Sequence, residues 1–352
     1  MKTLLRLLLK SQHQQNRSRP AQTEKGMTLI ELLIGTVMAF LIITPMLGFV
    51  VDMLNTDRRE QIKSNTEQDI QAAVDFIAQD LSQAIYIYDN NPTTGIPAIQ
   101  AQLPPATEGT PILVFWKRQV QKNALPLTPT APNTPPPSGC LPSAKPGDAT
   151  ECNDTYVLSL VAYYQVNDNQ ATWCQPSGAP CPTRIARYQI RAGIKDPKAA
   201  DPVNQPYYTA VKKPGQEPSK AYDPNFDISQ PTKNVSKVGV SWDSDVLVNY
   251  IDHGTKPLFT GTECTTALGN PTTQTGTTTS PIGEETLKVT DTTKNINSFY
   301  ACVDTEKNIA RVTIRGNSLR RLQPTGADYD PNKSAFFPTA SVQVQGLGAR
   351  GK

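Results

Sequence analysis

The chain has 352 residues and a formal net charge of +3. Hydrophobic residues make up 38% and charged residues 18%, against about 45–50% and about 25% in ordinary soluble domains, and prolines number 31. This composition predicts one globular head with long loops, and the low charge without aromatic residues among the cations argues against a nucleic-acid partner.

The first 26 residues form a basic leader. Glu24 is their one acid, and they carry six cations: Lys2, Arg6, Lys10, Arg17, Arg19 and Lys25. Cations beside an apolar segment tend to stay on the cytoplasmic side of a membrane. We therefore expect residues 1–26 to remain cytoplasmic.

Residues 27–51 are almost entirely apolar and, as a helix at about 1.5 Å per residue, reach roughly 37 Å. This length predicts a transmembrane helix, in which Pro45 and Gly48 are expected to aid bending. An ordinary secretory signal is cleaved after its apolar core, whereas Gly26 precedes the core here. The segment is therefore not a simple secretory signal.

Glu31 is the ionisable residue within this apolar segment. A carboxylate there costs a few kcal/mol unless it finds a partner. If the chain is cut after Gly26, Glu31 becomes the fifth residue, and the new amine at Met27 of one subunit can neutralise Glu31 of a neighbour. The alternative is a plain signal anchor whose Glu31 lies near the lipid headgroups.

The run Lys25-Gly26-Met27-Thr28-Leu29-Ile30-Glu31-Leu32-Leu33 resembles the class III signal of type IV prepilins and type II secretion pseudopilins. The resemblance implies that prepilin peptidase cuts after Gly26 and methylates Met27, and that Glu31 guides assembly. Met27 in place of the usual Phe and the longer leader depart from the pattern without breaking it.

Residues 52–90 are predicted to form an amphipathic helix that continues into the head. Its apolar stripe consists of Ile70, Val74, Ile77, Leu81 and Ile85. The stripe is expected to pack on the head domain.

The run at 68–89 resembles minor pseudopilins of the J and W types, and more closely the HpsC-type pseudopilins of cyanobacterial hormogonium polysaccharide secretion. This resemblance implies a minor subunit, at the inner membrane or a pilus tip, with its head in the periplasm. Its implied partners are prepilin peptidase, other pilins or pseudopilins, an assembly platform and polysaccharide, and the implied roles are polysaccharide export and gliding motility.

Residues 91–345 are predicted to form the globular head. Its predicted strands are 112–116, 156–166, 185–194, 235–242, 245–251, 298–303 and 309–315. In two of them apolar residues alternate with polar ones that should face water, namely Arg187, Gln189, Arg191, Arg311, Thr313 and Arg315. A sheet with one face in water is typically antiparallel. Together with the long N-terminal helix, this predicts the α+β fold class.

Two long loops and a tail complete the head. Residues 103–146 are crowded with prolines, and residues 257–293 are rich in Thr and Gly. Residues 346–352 are predicted to be a flexible tail.

All six cysteines follow the apolar segment, and an even count beyond a membrane predicts disulfides. Because short loops close most easily, the favoured pairs are Cys140–Cys152, Cys174–Cys181 and Cys264–Cys302. The alternative is free buried thiols in a reducing cytosol.

The sequence offers no catalytic motif and predicts neither an enzyme nor a cofactor. Two faint calcium patterns lack the glycine and the terminal glutamate of an EF-hand, and ordinary turns explain them as well. They are Asp223, Asn225 and Asp227, and Asp328, Asp330 and Asn332. The basic group Arg315, Arg320 and Arg321 suits either an anionic partner or a solvated strand edge.

Two alternatives to the polysaccharide-export subunit remain open. One is a minor subunit of type II protein secretion or of a true type IV pilus. The other is a membrane-anchored binding protein that never polymerises.

Overall fold

The computed structural model describes residues 26, 28–104, 109–126, 152–191, 243–256, 259–275 and 277–350. The chain divides into two compact units, Met1–Arg58 and Arg59–Lys352. Helix α1 spans Leu29–Leu81, and the second unit contains antiparallel sheets. The predicted α+β class with a long N-terminal helix is confirmed.

In the first unit, α1 is exposed along the whole of residues 29–58. The hydroxyls of Thr36 and Thr44 donate hydrogen bonds to the backbone carbonyls of Leu33 and Phe40, both at 2.8 Å. These bonds satisfy polar groups that a lipid environment cannot hydrate. Pro45 lies within the helix without ending it.

In the second unit, α1 buries the predicted stripe through Ile70, Val74, Ile77 and Leu81. The helix ends at Leu81, so its predicted continuation to residue 90 is wrong. The sequence AIYIY forms β1, Ala84–Tyr88, because aromatic and β-branched side chains suit a half-buried strand. Ile85, the last residue of the predicted stripe, belongs to this strand.

The first sheet has the order β1-β2-β3-β4-β5 with every pair antiparallel. Its further strands are β2 Thr110–Pro126, β3 Cys152–Val166, β4 Thr183–Arg191 and β5 Asp243–Ile251. Four predicted strands lie within or overlap these ranges, and the predicted strand 235–242 lies outside the described residues. β2 extends well into the predicted proline-rich loop.

The first sheet is covered on both faces, so the prediction that Arg187 and Gln189 face water is wrong. Gln189 is 3% exposed, and Arg187 bonds Asp80 of α1. On the opposite face, Tyr164 donates its hydroxyl to the Pro104 carbonyl at 2.9 Å, and Ile99, five residues before Pro104, is buried. Helix α1 on one face and the segment that contains Ile99 and Pro104 on the other therefore shield the middle of the sheet from water.

The second sheet has the antiparallel order β11-β10-β9-β8. Its strands are β8 Lys288–Asp291, β9 Ile296–Asp304, β10 Ile309–Arg315 and β11 Thr339–Gln345. β11 was not predicted, although TASVQVQ alternates cleanly. Thr313 and Arg315 are buried rather than in water, and Ile251 of β5 makes a bridge to Gly316.

The predicted loop at 257–293 contains regular structure. It holds the helices Glu263–Ala267 and Glu284–Leu287, the hairpin strands β6 Thr272–Thr275 and β7 Thr278–Pro281, and β8. The prediction of a simple surface loop is therefore wrong.

The C-terminal segment is docked as far as the structure describes it. Leu347–Arg350 forms a 3-10 turn, and the Gly346 amide donates to the Asn308 carbonyl at 2.9 Å. A Cβ on Gly348 would lie 2.0 Å from the Ile85 carbonyl oxygen, so only glycine fits there. The predicted flexible tail is wrong up to residue 350, and residues 351–352 lie outside the described residues.

Candidate functional site

The N-terminal end of α1 is held by a helix cap. Thr28 accepts the Glu31 amide on its carbonyl at 3.0 Å and on its hydroxyl at 3.4 Å. A Thr followed three residues later by Glu is the pattern of a capping box. The sequence TLIE carries this capping signal, which was not predicted.

Glu31 lies exposed in the first turn of α1. A carboxylate there interacts favourably with the partial positive charge of a helix N-terminus. Glu31 therefore has a local role in the single chain besides the pairing role that the sequence predicts. Residues 1–25 and Met27 lie outside the described residues, so the structure does not show the predicted Met27 partner.

Gly26 is exposed, and a Cβ built on it meets nothing within 4 Å. Its backbone has no positive φ that would require glycine. The fold of this chain therefore gives no reason for a glycine at residue 26.

An apolar surface surrounds the first part of α1. Its large side chains between Leu29 and Leu54 are 47–90% exposed. An 18-residue window reaches a mean hydropathy of 2.3 with none of it buried. A continuous surface of this kind needs lipid or another protein to cover it. The helix is long and apolar enough to cross a bilayer, which is compatible with single-pass membrane anchoring.

A buried ionic cluster joins the second part of α1 to the first sheet. The Asp80 carboxylate accepts Lys117 Nζ, Arg187 Nε and the Tyr163 hydroxyl, each at 2.7 Å. Lys117, Tyr163 and Arg187 come from β2, β3 and β4. One carboxylate therefore ties the helix to three strands.

The electrostatics keep Asp80 ionised. Burial by itself raises the pKa of this carboxyl, but hydrogen bonds and charge from Arg187 and Lys117 outweigh it and lower the pKa below its usual value. For Arg187, burial lowers the pKa, and the bond to Asp80 more than reverses this. Asp80 was not predicted as a functional residue, although it lies three residues after the buried Ile77.

The predicted basic group binds inside the molecule. Arg315 pairs with Asp252 at 2.9 Å, and Arg321 pairs with Asp69. Arg320 is fully buried and donates to the carbonyls of Pro176, Gly178 and Pro180, at 2.8–2.9 Å. These arginines therefore organise the head rather than forming a solvated strand edge.

Disulfides join Cys174 to Cys181 and Cys264 to Cys302, the pairs that loop length favours. Arg320 clamps the loop closed by the first of them. Cys152 begins β3, whereas Cys140 lies outside the described residues. The third predicted pair stays a prediction.

The calcium candidates differ in what can be said of them. Asp223, Asn225 and Asp227 lie outside the described residues. Asp330 instead caps a 3-10 turn by accepting the Asn332 amide at 2.9 Å, and Asp328 bonds His253 at 3.1 Å. Within the described ranges, no three His, Cys, Asp or Glu residues are grouped to hold a metal ion.

Comparisons with protein-family models, with curated proteins and with solved structures find no match for this chain.

Proposed function

We propose that this protein is a minor pilin or pseudopilin of a type IV pilus-like secretion apparatus that exports polysaccharide and supports gliding motility. One observation carries the proposal. An exposed apolar helix begins just after Gly26 and holds one carboxylate, Glu31, in its first turn. The lysine- and arginine-rich leader favours a cytoplasmic N-terminus, and hence an inner-membrane anchor with the head in the periplasm.

The proposed mechanism has two steps. Prepilin peptidase cuts the Gly26–Met27 peptide bond and methylates the amine it releases at Met27. When a subunit joins the filament, this amine and Glu31 of a neighbour neutralise each other, which offsets the cost of keeping either charge in an apolar environment. The exposed apolar side chains of α1 exchange lipid for neighbouring helices.

Mass spectrometry of the mature N-terminus tests processing. We expect a chain beginning with methylated Met27, and an intact Met1 or a cut elsewhere would overturn the proposal. Gly26→Ala is a sharp control because the fold has room for the methyl group. It should abolish the cut while leaving the thermal unfolding of the head unchanged.

Two variants of Glu31 separate its pairing role from its role at the helix start. Glu31→Gln removes the charge but keeps the Thr-x-x-Gln capping pattern, whereas Glu31→Val removes both. We expect both variants to be cleaved and both to be absent from purified filaments. If the Glu31→Gln variant enters filaments normally, the pairing role of Glu31 is overturned and only its role in capping the helix is left.

A deletion strain identifies the cargo. Loss of secreted polysaccharide and of gliding, with protein secretion intact, is the expected result. Loss of protein secretion or of pili alone would favour the type II or true type IV pilus subunit. A cleaved protein that never enters a filament would favour the anchored binding protein.

A further inference from the structure

A groove crosses the outer face of the second sheet. Its floor holds Tyr300 of β9 with Thr313 and Arg311 of β10, where Tyr300 and Thr313 are register partners. The segment at 259–267 forms one wall. Two cavities of about 420 Å³ and 390 Å³ lie side by side along it, and both are lined by Glu263, Tyr300 and Thr313. Each has the size of a small-molecule site, about 300–1,000 Å³.

The groove is rich in hydroxyl groups. They come from the threonines at 260, 262, 266, 313 and 339, with Tyr300, Tyr329 and Ser334. A hydroxyl both donates and accepts hydrogen bonds. Such a lining matches a ligand that itself carries many hydroxyls.

Aromatic pairs stand at two places in the groove. Phe259 meets Tyr300 edge-to-face with ring centres 5.0 Å apart, and Tyr329 meets Phe337 in the same way at 5.1 Å. The negative face of an aromatic ring attracts polarised C–H bonds, which a pyranose ring presents on its flat sides. Hydroxyls beside aromatic rings therefore suit a sugar better than a peptide or a lipid.

The carboxylate in the groove is already used. Glu263 accepts the Thr260 hydroxyl at 2.8 Å and the Gly261 amide at 3.1 Å, and pairs with Lys288 at 3.3 Å. Burial raises its pKa, but the bonds from Thr260 and the charge of Lys288 bring the pKa to about 2. Lys288 also pairs with Glu284 at 3.4 Å, so it offsets the charge of Glu263 only in part.

Arg311 supplies the free charge of the groove. Its guanidinium contacts the Ser341 hydroxyl at 3.4 Å, and no carboxylate of the described residues pairs with it. An arginine fork matches a carboxylate through two parallel hydrogen bonds.

We propose that this groove binds a short segment of an acidic polysaccharide. A uronate carboxylate pairs with Arg311, a pyranose ring packs against Tyr300, and the threonine hydroxyls bond the sugar hydroxyls. Phe259 instead holds Tyr300 in place and is itself covered by Lys288, whose Nζ lies 4.2 Å from the Phe259 ring centre. The inference deepens the proposed function by assigning the cargo class to one face of the head, and it rests on that function for its biological role.

Isothermal titration of the full chain in detergent micelles tests the groove, with a galacturonic acid hexamer and a glucose hexamer as probes. We expect the galacturonate to bind about tenfold more tightly at low salt, because a hydrogen bond to a charged group is the stronger kind. Arg311→Gln should remove that tenfold difference. Tyr300→Phe and Thr313→Val, which keep the packing, should weaken both sugars about threefold to tenfold.

Arg118→Gln is the matched control, because Arg118 is an exposed arginine stacked on Tyr156 of the first sheet, outside the groove. It should leave both affinities unchanged. Equal losses in Arg118→Gln and Arg311→Gln would mean unspecific charge attraction and overturn the proposal. So would equal affinity for the two hexamers, or binding of neither.

Glu31→Val separates this inference from the proposed function. The variant should bind galacturonate like the unchanged protein while failing to assemble. Assembly of the unchanged chain without galacturonate binding would overturn the groove alone. Binding without Gly26 cleavage would overturn the pilin proposal alone.

Discussion

The two units of the chain place apolar and charged side chains in opposite ways. In the first, large apolar residues from Leu29 to Leu54 are exposed, and Glu31 is exposed among them. In the second, Asp80, Asp252 and Arg320 are buried while most polar residues of α1 face outward. The same helix therefore carries two opposite patterns.

The difference indicates two surroundings for one chain. Exposed apolar side chains are stable where lipid or a neighbouring helix covers them. Buried charges are stable where hydrogen bonds replace the lost water. Asp252 shows this, since it accepts Arg315, Asn317 and the Gly254 amide.

The largest expected effect comes from breaking the buried cluster in the head. Asp80→Asn leaves Lys117 and Arg187 buried without a counter-charge, and removal of one partner from a buried pair costs about 3–5 kcal/mol. Denaturant unfolding of the full chain in micelles measures the loss. Asp75→Asn is the control, because Asp75 is exposed on the same helix and accepts a hydrogen bond from Gln71 at 3.0 Å. It should stay within about 0.5 kcal/mol.

The disulfides are expected to rank by loop length. The Cys264–Cys302 pair spans 38 residues and the Cys174–Cys181 pair spans 7. By chain entropy, the double alanine variants should lose about 4 and about 2 kcal/mol. A larger loss at the short loop would show that Arg320 and the carbonyls it binds depend on that disulfide. The same unfolding assay, under oxidising conditions, distinguishes the two results.

The sequence predicted the apolar helix, the buried stripe and most strands, because each is a local pattern of one period. Ile70, Val74 and Ile77 recur at helical spacing and are buried. The end of α1 was missed because Ile85 continues the helical spacing while pairing of β1 with β2 decides its structure. Tertiary pairing outweighs a pattern of this kind.

The polar residues of the head were the hardest to predict. Arg187 alternates as a surface residue should, but Asp80 reaches it across 107 positions of sequence. Arg320 likewise meets the carbonyls of the disulfide loop, which no local pattern reveals. In the candidate site, the Thr28–Glu31 cap was readable from sequence, whereas the groove depends on strands brought together by the fold.

A milder test compares one methyl group in the two units. Ile77→Val removes a methyl from a fully buried side chain and should cost about 0.5–1.5 kcal/mol. Ile42→Val, at a site 62% exposed, should leave the unfolding of the head unchanged. Equal losses would mean that the apolar part of α1 is packed by the chain itself. Chemical denaturation in micelles checks both variants.

A further expected effect is a pH dependence at Glu263. Its pKa of about 2 in the folded protein lies below the value of about 4.3 in an unfolded chain. The stabilisation of the fold by ionised Glu263 is therefore complete above about pH 4.3 and is lost as the pH falls through about 2. Glu263→Gln should therefore lower Tm at pH 7, and the difference from the unchanged protein should close between about pH 4.5 and pH 2. Glu31→Gln, in the other unit, should leave the Tm of the head unchanged at every pH. The ion pair with Lys288 requires an ionised carboxylate. A difference in Tm between Glu263→Gln and the unchanged protein that grows as the pH falls would therefore contradict this pair.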